Sequence, residues 1–184
     1  MVNLNKAVFL DRDGVLVKSI IKNRKGYAPR KLKDFKVYKD SSASVEKLNS
    51  LGFKIFVVTN QPDVSKKKIS KRTLSKMHKI LKKKVNIKKI YTCVHSLNEK
   101  CSCRKPMTGM LLKAAKTYKI NLKKSYMVGD RESDILCGEK VGCKTIFINR
   151  NYDEKKPKYQ IASVKNIKEA ASCIIRDIKN GKIK

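Results

Sequence analysis

The chain has 184 residues, of which 41% are hydrophobic and 33% charged. It is therefore long enough to bury a core and too apolar to be disordered. No apolar run approaches the roughly 20 residues that cross a bilayer, and we expect no signal peptide, because the sequence passes directly from Met1 into the first predicted strand. We therefore expect a cytoplasmic protein with no membrane contact, and we expect it to be a monomer.

The formal net charge is +31, from 46 Lys and Arg against 15 Asp and Glu. Such a charge attracts polyanions. However, 38 of the basic residues are Lys and only 8 are Arg, and there is no Trp. Arginine and aromatic side chains supply most specific contacts to nucleic acids. We therefore expect nucleic acid to bind only non-specifically, through charge.

Strand and helix patterns alternate along the chain. Predicted strands are 7–10, 53–58, 90–94, 126–130, 145–148 and a short one near Ile161, and predicted helices are 41–51, about 70–85, 109–118, 134–141 and about 167–179. A polar loop at about 14–40 separates the first strand from the first helix. The alternation predicts an α/β fold of three layers with a central parallel sheet, in one domain over 1–184 with a frayed basic end at 179–184.

The basic helix at about 70–85 has an apolar inner face by its spacing. We expect Leu74, Met77, Ile80 and Leu81 to be buried there. His78 in the same helix is expected to be a plain surface residue.

Polar residues follow three of the predicted strands. Asp11 and Asp13 follow the first, Thr59 the second, and Asp130 the fourth. Because parallel strands end at one edge of a sheet, these residues can converge there, and Lys105 before a helix can reach the same edge. Several carboxylates at one point require a cation, and oxygen ligands suit Mg²⁺. With a hydroxyl and a lysine, they form a cage for a phosphoryl group. The residues alone do not decide which aspartate after the first strand attacks.

A second constellation consists of thiols. Cys93-x-His95 is followed, after five residues, by Cys101-x-Cys103. Three thiolates and one imidazole complete the tetrahedral shell of zinc and leave no position open. We therefore expect a structural Zn²⁺ in the loop at about 93–103, bracing the residues directly downstream. The alternative is a group of cytosolic thiols without metal.

Four short motifs occur in order within residues 6–150. They are Asp-Arg-Asp-Gly at 11–14, Thr-Asn-Gln at 59–61, Arg-Lys-Pro at 104–106 and Val-Gly-Asp-x-x-x-Asp at 128–134. This series resembles the motifs of the haloacid dehalogenase (HAD) superfamily of phosphatases. A narrower resemblance, carried also by Cys-Ser-Cys at 101–103 and Gly-Met-Leu-Leu at 109–112, is to the family of heptose 1,7-bisphosphate 7-phosphatases and histidinol-phosphate phosphatases. The resemblance implies a Rossmann-like HAD fold, and the short gaps after Gly14 and Thr59 predict no cap domain.

The resemblance also implies roles for the matching carboxylates. Asp11 would be the nucleophile that forms an aspartyl-phosphate. Asp13 would protonate the leaving oxygen and then act as base on water. Mg²⁺ would be held by the Asp11 carboxylate, the Asp13 backbone carbonyl and Asp130. Asp134 would orient this metal site.

Further matching residues would contact the substrate. Thr59 and Lys105 would bind the transferring phosphoryl oxygens. Arg104 would recognise the remote part of the substrate, and Arg131 its second anionic group. The remaining implied substrate contacts are Asn60 and Gln61 after the second strand and the loop residues Arg24, Lys25, Gly26 and Tyr27.

The implied activity is Mg²⁺-dependent hydrolysis of a small sugar bisphosphate. Heptose 1,7-bisphosphate, cleaved at the 7-position for lipopolysaccharide-type surface polysaccharide, is favoured by the Gly-Met-Leu-Leu motif. Histidinol phosphate is the alternative, and a nucleic-acid-binding or end-processing protein would instead use the +31 charge. The sequence departs from the family pattern at Val15 and Val17, at Pro62-Asp63 and at Lys66-Lys67. These departures leave the four motifs intact but alter loops that would set specificity.

Overall fold

The computed structural model describes residues 4–181 as eight strands and five helices. The strands are β1 (Lys6–Leu10), β2 (Ile20–Lys22), β3 (Lys25–Tyr27), β4 (Phe53–Asn60), β5 (Lys89–Cys93), β6 (Tyr126–Gly129), β7 (Lys144–Ile148) and β8 (Ala162–Val164). The helices are α1 (Ser41–Ser50), α2 (Lys71–Lys84), α3 (Gly109–Tyr118), α4 (Glu132–Glu139) and α5 (Ile167–Gly181).

Six of the strands form one parallel sheet in the order β5-β4-β1-β6-β7-β8. β1 lies in its interior and pairs in parallel with both β4 and β6. Its last residue, Leu10, is in register with Val57 of β4 and Val128 of β6. The carboxyl ends of these three strands therefore meet at one edge, which is where ligands bind in open α/β sheets.

Helices cover both faces of the sheet. Buried side chains of α1, α2 and α5 belong to one apolar cluster with the strands. Those of α3 and α4 belong to a second cluster, in which the rings of Phe9 and Phe56 stack with centroids 5.5 Å apart. Fully buried strands such as β1 are typical of a sheet sandwiched between two helical layers. The predicted three-layer α/β fold is confirmed.

The segment predicted as a polar loop at 14–40 contains more structure than expected. β2 and β3 pair as an antiparallel hairpin, and a 3-10 turn follows at Leu32–Asp34. These strands are three residues long and mostly exposed, so they carry no apolar alternation that could have predicted them. The hairpin and this turn are the regular elements between β1 and α1, so no cap domain is inserted there, as predicted.

Other differences concern helix faces and ends. Leu74, Met77 and Leu81 of α2 are buried as predicted, but Ile80 is 36% exposed. At the basic end, α5 continues through Gly181, and residues 182–184 lie outside the described part of the chain. Within residues 4–181, every helix is too short or too polar to cross a membrane.

Candidate active site

Three buried carboxylates meet at the carboxyl edge of the sheet. Asp11 directly follows β1, Asp130 directly follows β6, and Asp134 lies in the first turn of α4. One oxygen from each lies within 4.8 Å of the others. Oδ2 of Asp134 also accepts a hydrogen bond from the backbone N–H of Arg131 at 3.1 Å, which fixes the start of α4. Three such charges in the protein interior call for a neutralising cation.

Asp130 differs from the other two carboxylates in its hydrogen bonding. Both of its carboxylate oxygens are buried and accept no hydrogen bond from the described residues. Burial, followed by the charges of Asp11 and Asp134, raises the pKa of the Asp130 carboxyl well above its usual range. Two free oxygens beside two other carboxylates form the hard donor set that Mg²⁺ prefers. The residues present therefore fit a magnesium ion.

Lys105 supplies the positive charge that the chain itself brings to the cluster. Its buried Nζ donates to Oδ1 of Asp11 at 2.5 Å and to the Val58 carbonyl at 2.6 Å, and lies 2.6 Å from Oδ1 of Asp134. Burial alone would lower the pKa of Lys105, but the two carboxylates raise it above its ordinary value. The side chain of Asn60 binds the backbone of Lys105 at two points. Its Nδ2 donates to the Lys105 carbonyl and its Oδ1 accepts from the Lys105 N–H, each at 3.1 Å.

Asp13 has different partners from Asp11. Gln61 donates from Nε2 to Oδ2 of Asp13 at 2.8 Å and to Oγ1 of Thr59 at 2.9 Å. Burial raises the pKa of the Asp13 carboxyl, against the lowering effect of the neighbouring Arg12 guanidinium. Asp11 is thus ion-paired with a lysine, whereas Asp13 is ion-paired with a buried arginine and has a pKa that burial raises.

Arg12 is a site residue that the sequence analysis missed. It is fully buried, and its Nε and Nη2 donate to Asp13 at 2.9–3.2 Å. Its Nη1 lies 3.1 Å from Nε2 of His78 on α2. The prediction that His78 is a plain surface residue is therefore wrong. The helical spacing could have indicated that His78 faces inward, because it follows the buried Leu74 by four residues and precedes the buried Leu81 by three.

An open cleft of about 850 Å³ extends from these residues to the surface. Predicted site residues that line it are Asp11, Asp13, Gly26, Tyr27, Asn60, Gln61, Arg104, Lys105, Arg131 and Asp134. Contrary to expectation, Arg24 and Lys25 are exposed at the hairpin and do not line it. Thr59 is buried beneath Gln61. Basic side chains of Lys66, Lys68 and Lys100 lie along the cleft, which suits an anionic substrate.

Arg131, predicted to bind a second anionic group, is held at the cleft by three contacts. It forms an ion pair with Glu154, donates to the Gly26 carbonyl, and lies 5.6 Å from the ring centroid of Tyr152. A Cβ on Gly26 would lie 2.5 Å from the Tyr152 ring, so only glycine fits at this point of the hairpin. Glu154 and Tyr152 lie in the irregular segment after β7, where no periodic pattern could have indicated them.

The four predicted zinc ligands also come together. Cys93 Sγ lies 3.8 Å from Cys101 Sγ and 3.5 Å from His95 Nδ1, which lies 3.2 Å from Cys103 Sγ. Two thiolates each about 2.3 Å from one zinc ion at a tetrahedral angle lie about 3.8 Å apart. The donor set and its spacing therefore fit zinc. Arg104, which lines the cleft, also contacts this cluster, because its Nη1 donates to the His95 carbonyl at 3.2 Å.

Comparison with known proteins identifies relatives of this architecture. A HAD-hydrolase-like family model matches residues 102–171. The D-glycero-beta-D-manno-heptose-1,7-bisphosphate 7-phosphatase of Helicobacter pylori strain J99 is 34% identical over 92% of this chain and 97% of its own length. The histidine biosynthesis bifunctional protein HisB of Campylobacter jejuni (strain 81116) is 32% identical over 76% of this chain but only 40% of its own length.

A solved structure supports the fold independently. The D,D-heptose 1,7-bisphosphate phosphatase of B. bronchiseptica, complexed with magnesium and phosphate, superimposes with a TM-score of 0.80. The alignment covers 94% of this chain and 99% of that one, at 20% sequence identity. The two chains therefore share their whole architecture.

Proposed function

The chain belongs to the family of HAD phosphatases that includes the heptose 1,7-bisphosphate 7-phosphatases, and from that premise we propose that it hydrolyses the 7-phosphate of D-glycero-D-manno-heptose 1,7-bisphosphate. The observation that carries this proposal is the buried cluster of Asp11, Asp130 and Asp134 at the inner end of a cleft with basic side chains. Lys105 is ion-paired with Asp11 and Asp134, and these three residues line the cleft. The product would serve nucleotide-activated heptose synthesis. We propose further that the protein acts as a monomer, because the mechanism below needs no residue from a second chain.

Asp11 is the proposed nucleophile. Its carboxylate lies at the inner end of the cleft, ion-paired with Lys105, where it can attack a phosphoryl group bound there. One Asp11 oxygen would form a bond to phosphorus while the bond from phosphorus to the sugar 7-oxygen breaks. Lys105, already beside this carboxylate, would bind a phosphoryl oxygen as negative charge moves onto the group. Thr59 would contribute its hydroxyl from beneath Gln61.

Asp13 is the proposed general acid and base. Its raised pKa, caused by burial, favours the proton that the departing 7-oxygen must receive. In the second step Asp13 would take a proton from water as that water attacks the aspartyl-phosphate. Inorganic phosphate would leave, and Asp11 would regain its free carboxylate. Gln61 would hold the Asp13 carboxyl in place through both steps.

A magnesium ion is the proposed cofactor, and when bound it would supply positive charge that neutralises the carboxylates and attracts phosphoryl oxygens. The free oxygens of Asp130, the Asp11 carboxylate and the Asp13 backbone carbonyl would hold it. Asp134 would orient these ligands, because its own oxygens are occupied by Lys105 and the Arg131 N–H.

The remote part of the substrate would contact the basic side of the cleft. Arg131 lines the cleft and already binds the carboxylate of Glu154, so it can bind an anionic group such as a second phosphate. Arg104 lines the same cleft next to the thiol cluster. These two residues are the proposed contacts to the 1-phosphate and the sugar.

A structural zinc ion is proposed for Cys93, His95, Cys101 and Cys103. Its support is the spacing of the four donor atoms and the absence of an open ligand position in that set. Arg104 and Lys105 directly follow Cys103 in the chain, so zinc would hold the backbone that positions these two side chains in the cleft. It would take no part in the chemical steps.

A substrate panel tests the proposal. Phosphate release should be measured with the α and β anomers of heptose 1,7-bisphosphate, histidinol phosphate and a 3′-phosphorylated oligonucleotide, at fixed salt and magnesium concentrations. A heptose bisphosphate should have the highest kcat/KM. A higher value for histidinol phosphate would move the assignment to the other branch of the family. A higher value for the oligonucleotide would instead assign a nucleic-acid end-processing role to the positive charge.

A further inference from the structure

The buried guanidinium of Arg12 connects the proposed general acid to helix α2. Nε and Nη2 of Arg12 both contact Oδ2 of Asp13, at 3.1 and 2.9 Å, and Nε also lies 3.2 Å from Oδ1. The remaining terminal nitrogen, Nη1, lies 3.1 Å from Nε2 of His78. The ring of Phe35 lies 5.5 Å from the guanidinium carbon. Arg12 is therefore enclosed, and each nitrogen of its guanidinium has a partner.

The contact between Arg12 and His78 has only one chemically possible direction. A guanidinium in a protein keeps its proton and carries donors only. The imidazole must therefore accept at Nε2 and carry its own proton on Nδ1. Burial, followed by the Arg12 charge, lowers the pKa of His78 to about 4, so the ring is neutral at physiological pH. His78 thus acts as a fixed acceptor on a rigid helix.

We infer that His78 is a positioning residue for phosphoryl transfer, because it fixes the Arg12 guanidinium that in turn orients the Asp13 carboxyl. The inference rests on the proposed role of Asp13 as general acid. His78 does not line the cleft and does not reach the reacting atoms. Its effect would pass through two hydrogen-bonded contacts, from Nε2 to Nη1 and from the guanidinium to the carboxyl.

Asp13 acts in both steps of the proposed reaction, but only the first step distinguishes one leaving group from another. When Asp11 attacks phosphorus, the bond to the leaving oxygen breaks and that oxygen takes the proton of Asp13. A sugar alkoxide is a poor leaving group and needs this proton, whereas 4-nitrophenolate is stable without it. If the Arg12 guanidinium lost its acceptor and shifted, phosphoryl transfer from the sugar substrate would become slower. Phosphoryl transfer from 4-nitrophenyl phosphate would keep most of its rate.

The test compares His78→Leu with His78→Gln on both substrates. His78→Leu removes the acceptor, and His78→Gln keeps a side-chain oxygen that can accept from Nη1. With a sugar bisphosphate, His78→Leu should lower kcat/KM roughly 10- to 100-fold, and with 4-nitrophenyl phosphate less than about threefold. The comparison uses kcat/KM because this ratio reports the steps through loss of the leaving group and not the later attack of water, in which both substrates share one intermediate. His78→Gln should restore most of the loss. Lys79→Leu, at the exposed neighbouring position of the same helix, is the matched control and should leave both rates unchanged.

Parallel measurements separate the possible failures. An equal loss with both substrates, or no loss, in His78→Leu would overturn the positioning role while Asp13→Asn still discriminates between the leaving groups. If Asp13→Asn also fails to discriminate, the general-acid assignment itself is wrong and the inference is overturned with it. Should His78→Leu not fold, nitrogen NMR of the wild-type imidazole decides, since a proton on Nε2 instead of Nδ1 would overturn the contact.

Discussion

A Cβ on Gly14 would lie 1.9 Å from Oδ2 of Asp130. The turn after β1 and the carboxylate after β6 are therefore mutually dependent, and Gly14 also has a φ of +85°, which other residues rarely adopt. The glycine that ends the first motif is thus required by the Asp130 carboxylate, which leaves no room for a side chain, as well as by its own backbone conformation.

Gly14→Ala should therefore weaken magnesium binding beyond its effect on stability. The methyl group would push the Asp130 carboxylate aside, and we expect roughly 10- to 100-fold weaker binding. Magnesium titrations by calorimetry and by activity would measure it. Gly52→Ala is the matched control, because Gly52 has a similar φ of +80° with only Lys6 Cε nearby, at 3.9 Å. Equal magnesium affinity in the two variants would contradict the prediction.

Asp11→Asn should abolish turnover and leave the fold intact. An amide nitrogen or oxygen is too weak a nucleophile to replace the carboxylate, so we expect a loss of at least about 10³-fold. Wild-type protein quenched during turnover should carry hydroxylamine-sensitive phosphate, and the variant should carry none. Asp40→Asn, at the exposed start of α1, should be fully active. Appreciable turnover by Asp11→Asn would eliminate the nucleophile assignment.

Lys105→Met should remove transition-state stabilisation while filling most of the same space. Loss of one buried cationic donor to the phosphoryl group is expected to lower kcat about 10²- to 10³-fold, or about 3–4 kcal/mol. Steady-state kinetics would show this mainly in kcat. Lys113→Met, at an exposed position on α3 away from the cleft, should change kcat little. A decrease of less than tenfold in Lys105→Met would assign phosphoryl binding to another group.

The thiol cluster predicts one zinc ion per chain. Cys101→Ser should lose that ion, lower the melting temperature, and reduce activity by loosening Arg104 and Lys105 downstream. Metal analysis, thermal unfolding and kinetics would measure the three effects. Cys173→Ser, which changes a half-buried thiol on α5, should keep the zinc. Zinc-free protein with full activity would rule out the bracing role.

His78 also predicts a pH dependence of stability. Its pKa is lowered from 6.5 to about 4 by burial and by Arg12. Between these values the unfolded chain binds a proton at His78 that the folded chain does not, so stability should fall as the pH falls from 6.5 to 4. The difference reaches up to about 3 kcal/mol. Urea unfolding across this range should show a steeper decline for wild type than for His78→Gln, and parallel curves would contradict the prediction.

The parts of the site that follow from strand pattern and topology could be predicted from the sequence. Short apolar strands that end at Asp11 and Asp130 define a parallel sheet edge, and topology alone then brings those residues together. The different surroundings of Asp11 and Asp13 could not be predicted, because both follow the same strand and only tertiary contacts distinguish them. Helical spacing indicated that His78 borders the core but not that it meets Arg12.

The interior position of β1 has a consequence for biosynthesis. A nascent chain that ends after α3 already contains Asp11, Asp13 and Lys105, but it lacks β6, one of the two hydrogen-bonding neighbours of β1. More than 100 residues separate these partners, so their pairing is slow compared with local helix formation. Until the sheet closes, β1 exposes an apolar edge that can pair with other chains. Ribosome-bound fragments of this length should therefore depend on chaperones, and catalytic activity should appear only once β6 has been added.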